Sequence, residues 1–166
     1  KPFVSTVEEA DRVLAAAAAA GRQIAINHQY REKPIFRAVK DRIGTDGVGQ
    51  LVFCQIVQLM DLAPWDEPVP WRAAMPNRTL FEGGVHLLDL MISLFGEPPE
   101  AVYARHTAGL DPERSADAIH LVTLEFPGGR LGQITIDRLC KAGTRYIELR
   151  AELDRRADGD EAGQVF

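Results

Sequence analysis

The stretch DAIHLVTLEF (117–126), PGG (127–129) and RLGQITIDRL (130–139) decides the fold, because it predicts two antiparallel strands joined by a tight hairpin. Two more runs, 101–107 and 144–153, have the same β-rich composition. These strands follow a helical first half. Helices followed by a run of strands predict an α+β fold, with an open, mainly antiparallel sheet and helices on one face.

The predicted strands carry apolar residues on both faces. Ile119 and Leu121 alternate with Val122, Leu124 and Phe126, whereas a sheet with one solvated face alternates apolar and polar residues. Helices can cover only one of the two faces. We therefore expect a homo-oligomer in which a second copy of the chain covers the other face.

The first half of the chain contains three predicted helices. Thr6 and Glu9 form a capping box that begins a helix over Thr6–Ala20, and residues 23–27 resemble a buried strand. A helix and a strand in this order are typical of the end of an α/β unit. Pro34 begins the second helix, and Thr79–Phe95 forms the third. Five apolar residues share one predicted face of the third helix: Val85, Leu88, Met91, Ile92 and Phe95.

Composition excludes several classes of protein. The chain has 166 residues, 46% of them hydrophobic, and a net charge of −5 without a basic stripe, which argues against nucleic-acid binding. No apolar run reaches the roughly 18–20 residues of a membrane span. Cys54 and Cys140 lie far apart in apolar runs, which argues against a disulfide scaffold or a zinc site and favours a reducing cytoplasm.

The cluster Glu82-Gly83-Gly84-Val85-His86, with Asp89 three residues later, is the strongest candidate for chemistry. On a helix, Glu82 and His86 are neighbours, and a carboxylate beside an imidazole fixes its tautomer and suits it to general-base work. The two glycines would let a ligand approach the backbone. The alternative is a surface pair on a helix whose glycines only allow tight packing.

A second polar stretch, Asn27-His28-Gln29-Tyr30-Arg31, follows the predicted strand, where α/β proteins gather ligand groups. The alternative is a polar strand-to-helix connection. No third ligand is spaced to join His28 and His86 in a metal site, so we expect none. His106 and His120 fit strand surfaces. The loop 63–76 contains Trp65 and Trp71, which either line a pocket or anchor the loop.

The order of these features resembles the Gfo/Idh/MocA (glucose-fructose oxidoreductase / inositol dehydrogenase) family, from a point part-way through its sequence. Lys1-Pro2 is similar to the end of its Glu-Lys-Pro motif, and residues 82–89 resemble its Asp-x-Gly-(Val/Ile)-His-x-x-Asp signature. Three further matches lie in the same order as in the family: Asn27…Tyr30…Pro34, Gly47-Val48-Gly49-Gln50-Leu51-Val52 and Trp71-Arg72.

The resemblance implies roles for individual residues. His86 would be the general acid/base, and Lys1 would lie near the reacting hydroxyl and the cofactor. Glu82 occupies the place of the family's Asp, one methylene longer, and would orient His86. Asn27 would contact the cofactor together with Lys1. Four residues would bind substrate: Tyr30, Trp71, Arg72 and Asp89.

The resemblance also implies an organisation and an activity. Residues 1–28 would be the remnant of a Rossmann domain that binds NAD or NADP, 29–153 an α+β substrate-binding and oligomerisation domain, and 154–166 a polar acidic tail. The expected activity is hydride transfer on a sugar, cyclitol or similar small polyol. The alternatives are an NAD-dependent glycosidase and a non-catalytic regulatory member of the same family.

We predict that the 166-residue chain alone binds NAD(H) and NADP(H) weakly or not at all. The sequence contains no G-x-G-x-x-G motif. Of its two Gly pairs, Gly83-Gly84 follows a loop and Gly128-Gly129 forms a hairpin turn, so neither has the context of a pyrophosphate-binding turn. Isothermal titration calorimetry measures this directly. Micromolar affinity would contradict the prediction.

Overall fold

The computed structural model describes residues 2–45, 49–60, 75, 77–107, 118–140 and 146–154. The helices are α1 (Val7–Ala19), α2 (Pro34–Arg42) and α3 (Val85–Phe95), the last preceded by a π-helical turn (Leu80–Gly84). The strands are β1 (Gln50–Leu59), β2 (Ala101–Thr107), β3 (Ile119–Phe126), β4 (Arg130–Asp137) and β5 (Tyr146–Asp154). Among the helices of these described residues, none is long and apolar enough to cross a membrane.

The strands form one five-stranded sheet in the order β2-β3-β4-β1-β5. Three of its pairings are antiparallel and one, between β1 and β4, is parallel. The parallel pair requires a long crossover, and the segment that contains α3 provides it. The predicted hairpin is confirmed: Pro127–Gly129 joins β3 to β4, with Gly128 and Gly129 at φ 78° and 75°. The α+β, mainly antiparallel prediction is thus confirmed.

The core lies between α3 and the inner face of the sheet. Phe95 of α3 stacks on Phe126 of β3, with ring centroids 3.8 Å apart. The buried face of α3 differs from the predicted one, because Leu87, Leu90, Met91 and Leu94 are buried together with Phe95, whereas Val85, Leu88 and Ile92 are only partly buried. Nearly every residue of α3 is apolar, so 3.6-residue spacing fits two faces equally well. The position of the sheet selects between them.

The first 28 residues differ from the prediction in one element. Thr6 caps α1 as expected, with its Oγ1 accepting a hydrogen bond of 3.2 Å from the backbone N–H of Glu9. Residues 22–28, however, form no strand, and Ile24 and Ile26 are exposed rather than buried. A strand needs a neighbour for its N–H and C=O groups, and none of the five strands pairs with this segment.

The two strand histidines also differ. His106 is exposed, as expected, but His120 is buried and its ring lies 5.4 Å from that of His106. His120 alternates in register with Val122 and Leu124, so it points to the inner face with them. The expectation of a surface position for His120 was therefore wrong. Its place in the alternating strand, and not the polarity of its side chain, decides which face of the sheet it occupies.

Cys54 provides a test of the inner face of β1. It is fully buried, and burial raises the pKa of its thiol to about 12, whereas Cys140 is only partly buried. Alkylation requires the thiolate, so we predict that iodoacetamide at pH 8 modifies Cys140 and spares Cys54 in the native protein. Mass spectrometry of the modified peptides reads out the result.

The control is Cys140→Ser, which should take up no label when native and one when denatured. Fast labelling of Cys54 in this native variant would contradict the placement of β1 in the core.

Candidate active site around His86

His86 lies at the second position of α3, directly after the π-helical turn, and its side chain is buried. Its ring stacks on the ring of Tyr30, with centroids 4.9 Å apart and planes 18° from parallel. Tyr30 is itself buried, and Lys33 Nζ lies 4.3 Å from the centroid of its ring. An aromatic face thus fixes the plane of the imidazole within a largely dry environment.

Tyr30 is held by a turn over residues 28–33 that precedes α2. Three backbone hydrogen bonds of the i to i+3 type define this turn, from Arg31 to His28, Glu32 to Gln29 and Lys33 to Tyr30, at 3.1–3.3 Å. His28, from the same turn, meets His86 edge-on, with ring centroids 6.0 Å apart and planes 88° apart. Two rings from one turn therefore contact the imidazole.

Asp89 lies one helical turn after His86 and is paired with Arg31. Arg31 donates from Nε to Oδ2 at 2.6 Å and from Nη2 to Oδ1 at 2.5 Å. These hydrogen bonds raise the pKa of Arg31 above its ordinary value. His28 Nδ1 is 3.9 Å from Asp89 Oδ1, which is too long for a hydrogen bond. Both oxygens of Asp89 are thus engaged by one guanidinium.

Glu82 lies in the π-helical turn, and its carboxylate accepts a hydrogen bond of 3.0 Å from Arg78 Nε. The expectation that Glu82 neighbours His86 assumed regular α-helical spacing. In a π-helical turn the hydrogen bonds run from i to i+5, which changes the angle between these two positions. A direct contact between Glu82 and His86 stays a prediction.

The two glycines of the motif serve packing. An added Cβ at Gly84 would lie 2.6 Å from Leu80 Cδ1 and 3.0 Å from Ile136 Cδ1, and one at Gly83 would lie 3.1 Å from Gln58 Oε1. Such distances are too short for unstrained contacts. The structure therefore supports the alternative in which these glycines bring the helix start close to the sheet, rather than leaving it bare for a ligand.

The structure brings Tyr30, His86 and Asp89 together, as three of the predicted site residues. Asn27 is exposed, and Lys1, Trp65, Trp71 and Arg72 lie outside the described residues. In the described part of the chain, no three His, Cys, Asp or Glu residues are grouped so as to hold a metal ion.

The predicted site residues did not include His28 and Arg31, although both lie in the polar stretch 27–31 that the sequence analysis singled out. They also did not include Gln58, which is buried on the inner face of β1. Gln58 alternates along β1 with Cys54 and Ile56, and this spacing could have identified it as an inward-facing residue. Arg78, four residues before Glu82, has the spacing of a helical ion pair.

Residues 36–154 match the family described as "GFO/IDH/MocA C-terminal domain". The chain belongs to this family. The match covers most of α2, all of α3 and the whole sheet, and it confirms the family resemblance.

Several relatives share this domain. The chain is 28% identical over 141 residues to a 1,5-anhydro-D-fructose reductase of Ensifer adhaerens, covering 80% of this chain and 40% of the relative. The fold is shared with an inositol dehydrogenase homologue of Azotobacter vinelandii complexed with NAD+, at 17% identity and a TM-score of 0.78, over 91% of this chain and 41% of that one. It is also shared with a UDP-N-acetylglucosamine 3-dehydrogenase of Acidithiobacillus ferrooxidans, at 20% identity and a TM-score of 0.69, over 92% and 45%.

The chain spans about two fifths of the length of the curated relatives that it matches. A dinucleotide needs a Gly-rich turn at a helix start to hold its pyrophosphate. The sequence before α1, Val4-Ser5-Thr6, contains no glycine, and the Gly83-Gly84 pair is filled by packing contacts. The described residues therefore do not fit the pyrophosphate of NAD(P).

Proposed function

We propose that this chain is the substrate-binding and oligomerisation domain of an NAD(P)-dependent oxidoreductase that acts on a sugar, cyclitol or similar small polyol. The observation that carries the proposal is the buried imidazole of His86, stacked on Tyr30 at the family motif. Residues 29–153 form this domain in the proposal, 1–28 belong to a dinucleotide-binding domain, and 154–166 are a tail. The reductase and dehydrogenase names of the relatives support the reaction class.

The proposed reaction transfers a hydride and a proton to two different acceptors. Oxidation of an alcohol removes a hydride from carbon and a proton from oxygen, and the hydride acceptor of such enzymes is a nicotinamide. The roles of this chain concern the proton and the substrate. In the proposal, one nitrogen of His86 takes the hydroxyl proton, and the charge of Lys1 stabilises the developing alkoxide.

The surroundings of His86 suit this role. Imidazole changes its charge near neutral pH, and stacking on Tyr30 fixes which directions its two nitrogens face. Glu82 orients the ring in the proposal, and Trp71 and Arg72 contribute to the substrate site, with Asn27 on the cofactor side. Because His86 belongs to the proposed substrate-binding domain, the substrate would bind between this domain and the cofactor.

We predict that His86→Asn in the full-length protein lowers kcat by about 10²- to 10⁴-fold, because general-base help is typically worth that much. KM should change much less, since the substrate hydroxyl still meets a polar side chain. Steady-state kinetics over a panel of polyols, with NAD and NADP, measures both constants.

His106→Asn is the matched control, because His106 is exposed on β2, an edge strand of the sheet. Glu82→Gln should cost less than His86→Asn and should shift the acid limb of the pH–rate profile, because the imidazolium loses a counter-charge. Near-normal kcat in His86→Asn would reject the proton-transfer role and make Tyr30 or Lys1 the next candidate.

The outer face of the sheet supports the proposed oligomer. On this face Leu121 of β3 is 50% exposed, Leu131 of β4 is 41% exposed and Tyr103 of β2 is 63% exposed. Phe53 and Val57 of β1 share the face with them, by the strand register. Polar residues lie among them, such as Gln55 and Gln133, which hydrogen-bond to each other. A face that mixes exposed apolar residues with polar ones suits a protein interface, and a second copy would cover it symmetrically.

We predict that the protein is a homo-oligomer that buries this face. Leu121→Lys should dissociate it, because a charge would be placed in the middle of the interface, and multi-angle light scattering should then report the monomer mass. Val7→Lys on α1, at an apolar residue that is 72% exposed, is the control and should leave the oligomer intact. A monodisperse monomer of the unaltered protein at high concentration would contradict the prediction.

A further inference from the structure

We propose that Arg31 and Asp89 are positioning residues, whose ion pair clamps the 28–33 turn onto α3 and thereby holds Tyr30 against His86. The catalytic consequence of this clamp rests on the proposed function of His86. The clamp itself is a property of this chain alone, and it can be tested without turnover.

The ion pair and the ring stack join the same two segments. Arg31 follows Tyr30 directly, and Asp89 lies three residues after His86, one helical turn along the same side of α3. The two contacts are therefore neighbouring links between one turn and one helix. The residues of the ion pair are 58 positions apart in sequence. A change in one link moves the other.

The geometry of the pair is that of a strong link. The guanidinium and the carboxylate form two hydrogen bonds side by side, a bidentate arrangement that fixes orientation as well as distance. The Asp89 side chain is only 10% exposed, so water competes weakly at the carboxylate, although Arg31 is 46% exposed. Such a pair contributes more than two exposed charges at the same distance.

Besides the Arg31–Asp89 pair, the turn is held by the burial of Tyr30 in the core. The segment before it, residues 22–28, pairs with no strand of the sheet, so the turn is not fixed from that side. After it, Lys40 Nζ of α2 donates to the carbonyl of Leu94 at 3.2 Å, near the far end of α3. Closer to His86, Arg31 donates two hydrogen bonds to Asp89 of α3, and His28 Nδ1 lies 3.9 Å from the same carboxylate.

This assignment differs from the expectation that Asp89 binds substrate directly. A carboxylate that accepts two hydrogen bonds from one guanidinium has less capacity for a substrate hydroxyl. The two roles make different kinetic predictions. Loss of a substrate ligand raises KM, whereas misplacement of the imidazole lowers kcat.

The chain contains a matched control in the same turn. Arg37 pairs with Glu32 at 3.4 Å, with both side chains largely exposed, and this pair joins the turn to α2 rather than to α3. Arg37→Met removes a cation of the same type and leaves the proposed clamp intact. Any general effect of charge on the turn should appear in this control as well.

The first experiment uses the ring current of Tyr30, which shifts the carbon-bound ring protons of His86 upfield while the two rings are stacked. Heteronuclear NMR of the 166-residue chain should show that Arg31→Met and Asp89→Asn each lose most of this shift, whereas Arg37→Met keeps it. The β3–β4 amide signals should stay unchanged in all three variants. Arg31→Lys keeps the positive charge but cannot form the two side-by-side hydrogen bonds. Its His86 ring-current shift should lie between those of Arg31→Met and the unaltered protein.

Two results would overturn the proposal. One is an unchanged His86 shift in Arg31→Met and Asp89→Asn while the sheet remains folded. The other is loss of the β3–β4 signals in both variants, because the pair would then support the whole fold rather than the position of one ring.

The second experiment measures steady-state kinetics of Asp89→Asn in the full-length protein. A lower kcat with little change in KM supports positioning, and a higher KM with unchanged kcat assigns Asp89 to substrate binding and overturns it. The two proposals fail separately. If His86→Asn retains kcat while the ring-current shift still depends on Arg31, the proton role is wrong and the clamp stands.

Discussion

The close contact between the start of α3 and the inner face of the sheet is the constraint on which the rest of the structure depends. Gly84 lets Leu80 and Ile136 approach the helix, and Gly132 of β4 leaves room for Met91, whose Sδ would lie 3.0 Å from an added Cβ. Each leucine of α3 buried in this contact contributes about 1.5–3 kcal/mol. The same contact fixes where His86 and Asp89 lie.

The sheet was predictable where the signal is local. The two β-rich runs that form β3 and β4, and the Pro-Gly-Gly turn between them, each depend on residues close in sequence, and the structure confirms both. The parallel pairing of β1 with β4 joins strands separated by α3, β2 and β3, and no local pattern encodes it. The buried face of α3 could not be predicted for a similar reason, because a mostly apolar helix takes its orientation from the surface it meets.

The candidate site, like the sheet, was predictable from the sequence only in part. The spacing of His86 and Asp89 places them on one side of a helix, which the sequence shows directly. The π-helical turn before His86 is not visible in the sequence, and it alters the expected relation of Glu82 to the imidazole. The partners of His86 and Asp89, namely Tyr30 and Arg31, lie in a segment that the sequence marks by its polarity and by the family match Asn27…Tyr30…Pro34, neither of which shows what the two side chains contact. Their contacts become visible only when the chain is folded.

These contacts show how a shared domain can carry individual chemistry. The fold that this chain has in common with distant dehydrogenases positions the start of α3, since the glycine contacts and the sheet are features of the packing. The orientation of the imidazole depends on something more local, a turn that meets α3 through the rings of Tyr30 and His28 and through the Arg31–Asp89 pair. Within that turn Tyr30 belongs to the buried core, whereas Arg31 is exposed. A substitution at Arg31 would therefore act on the orientation of the imidazole with less disturbance of the core than a substitution at Tyr30.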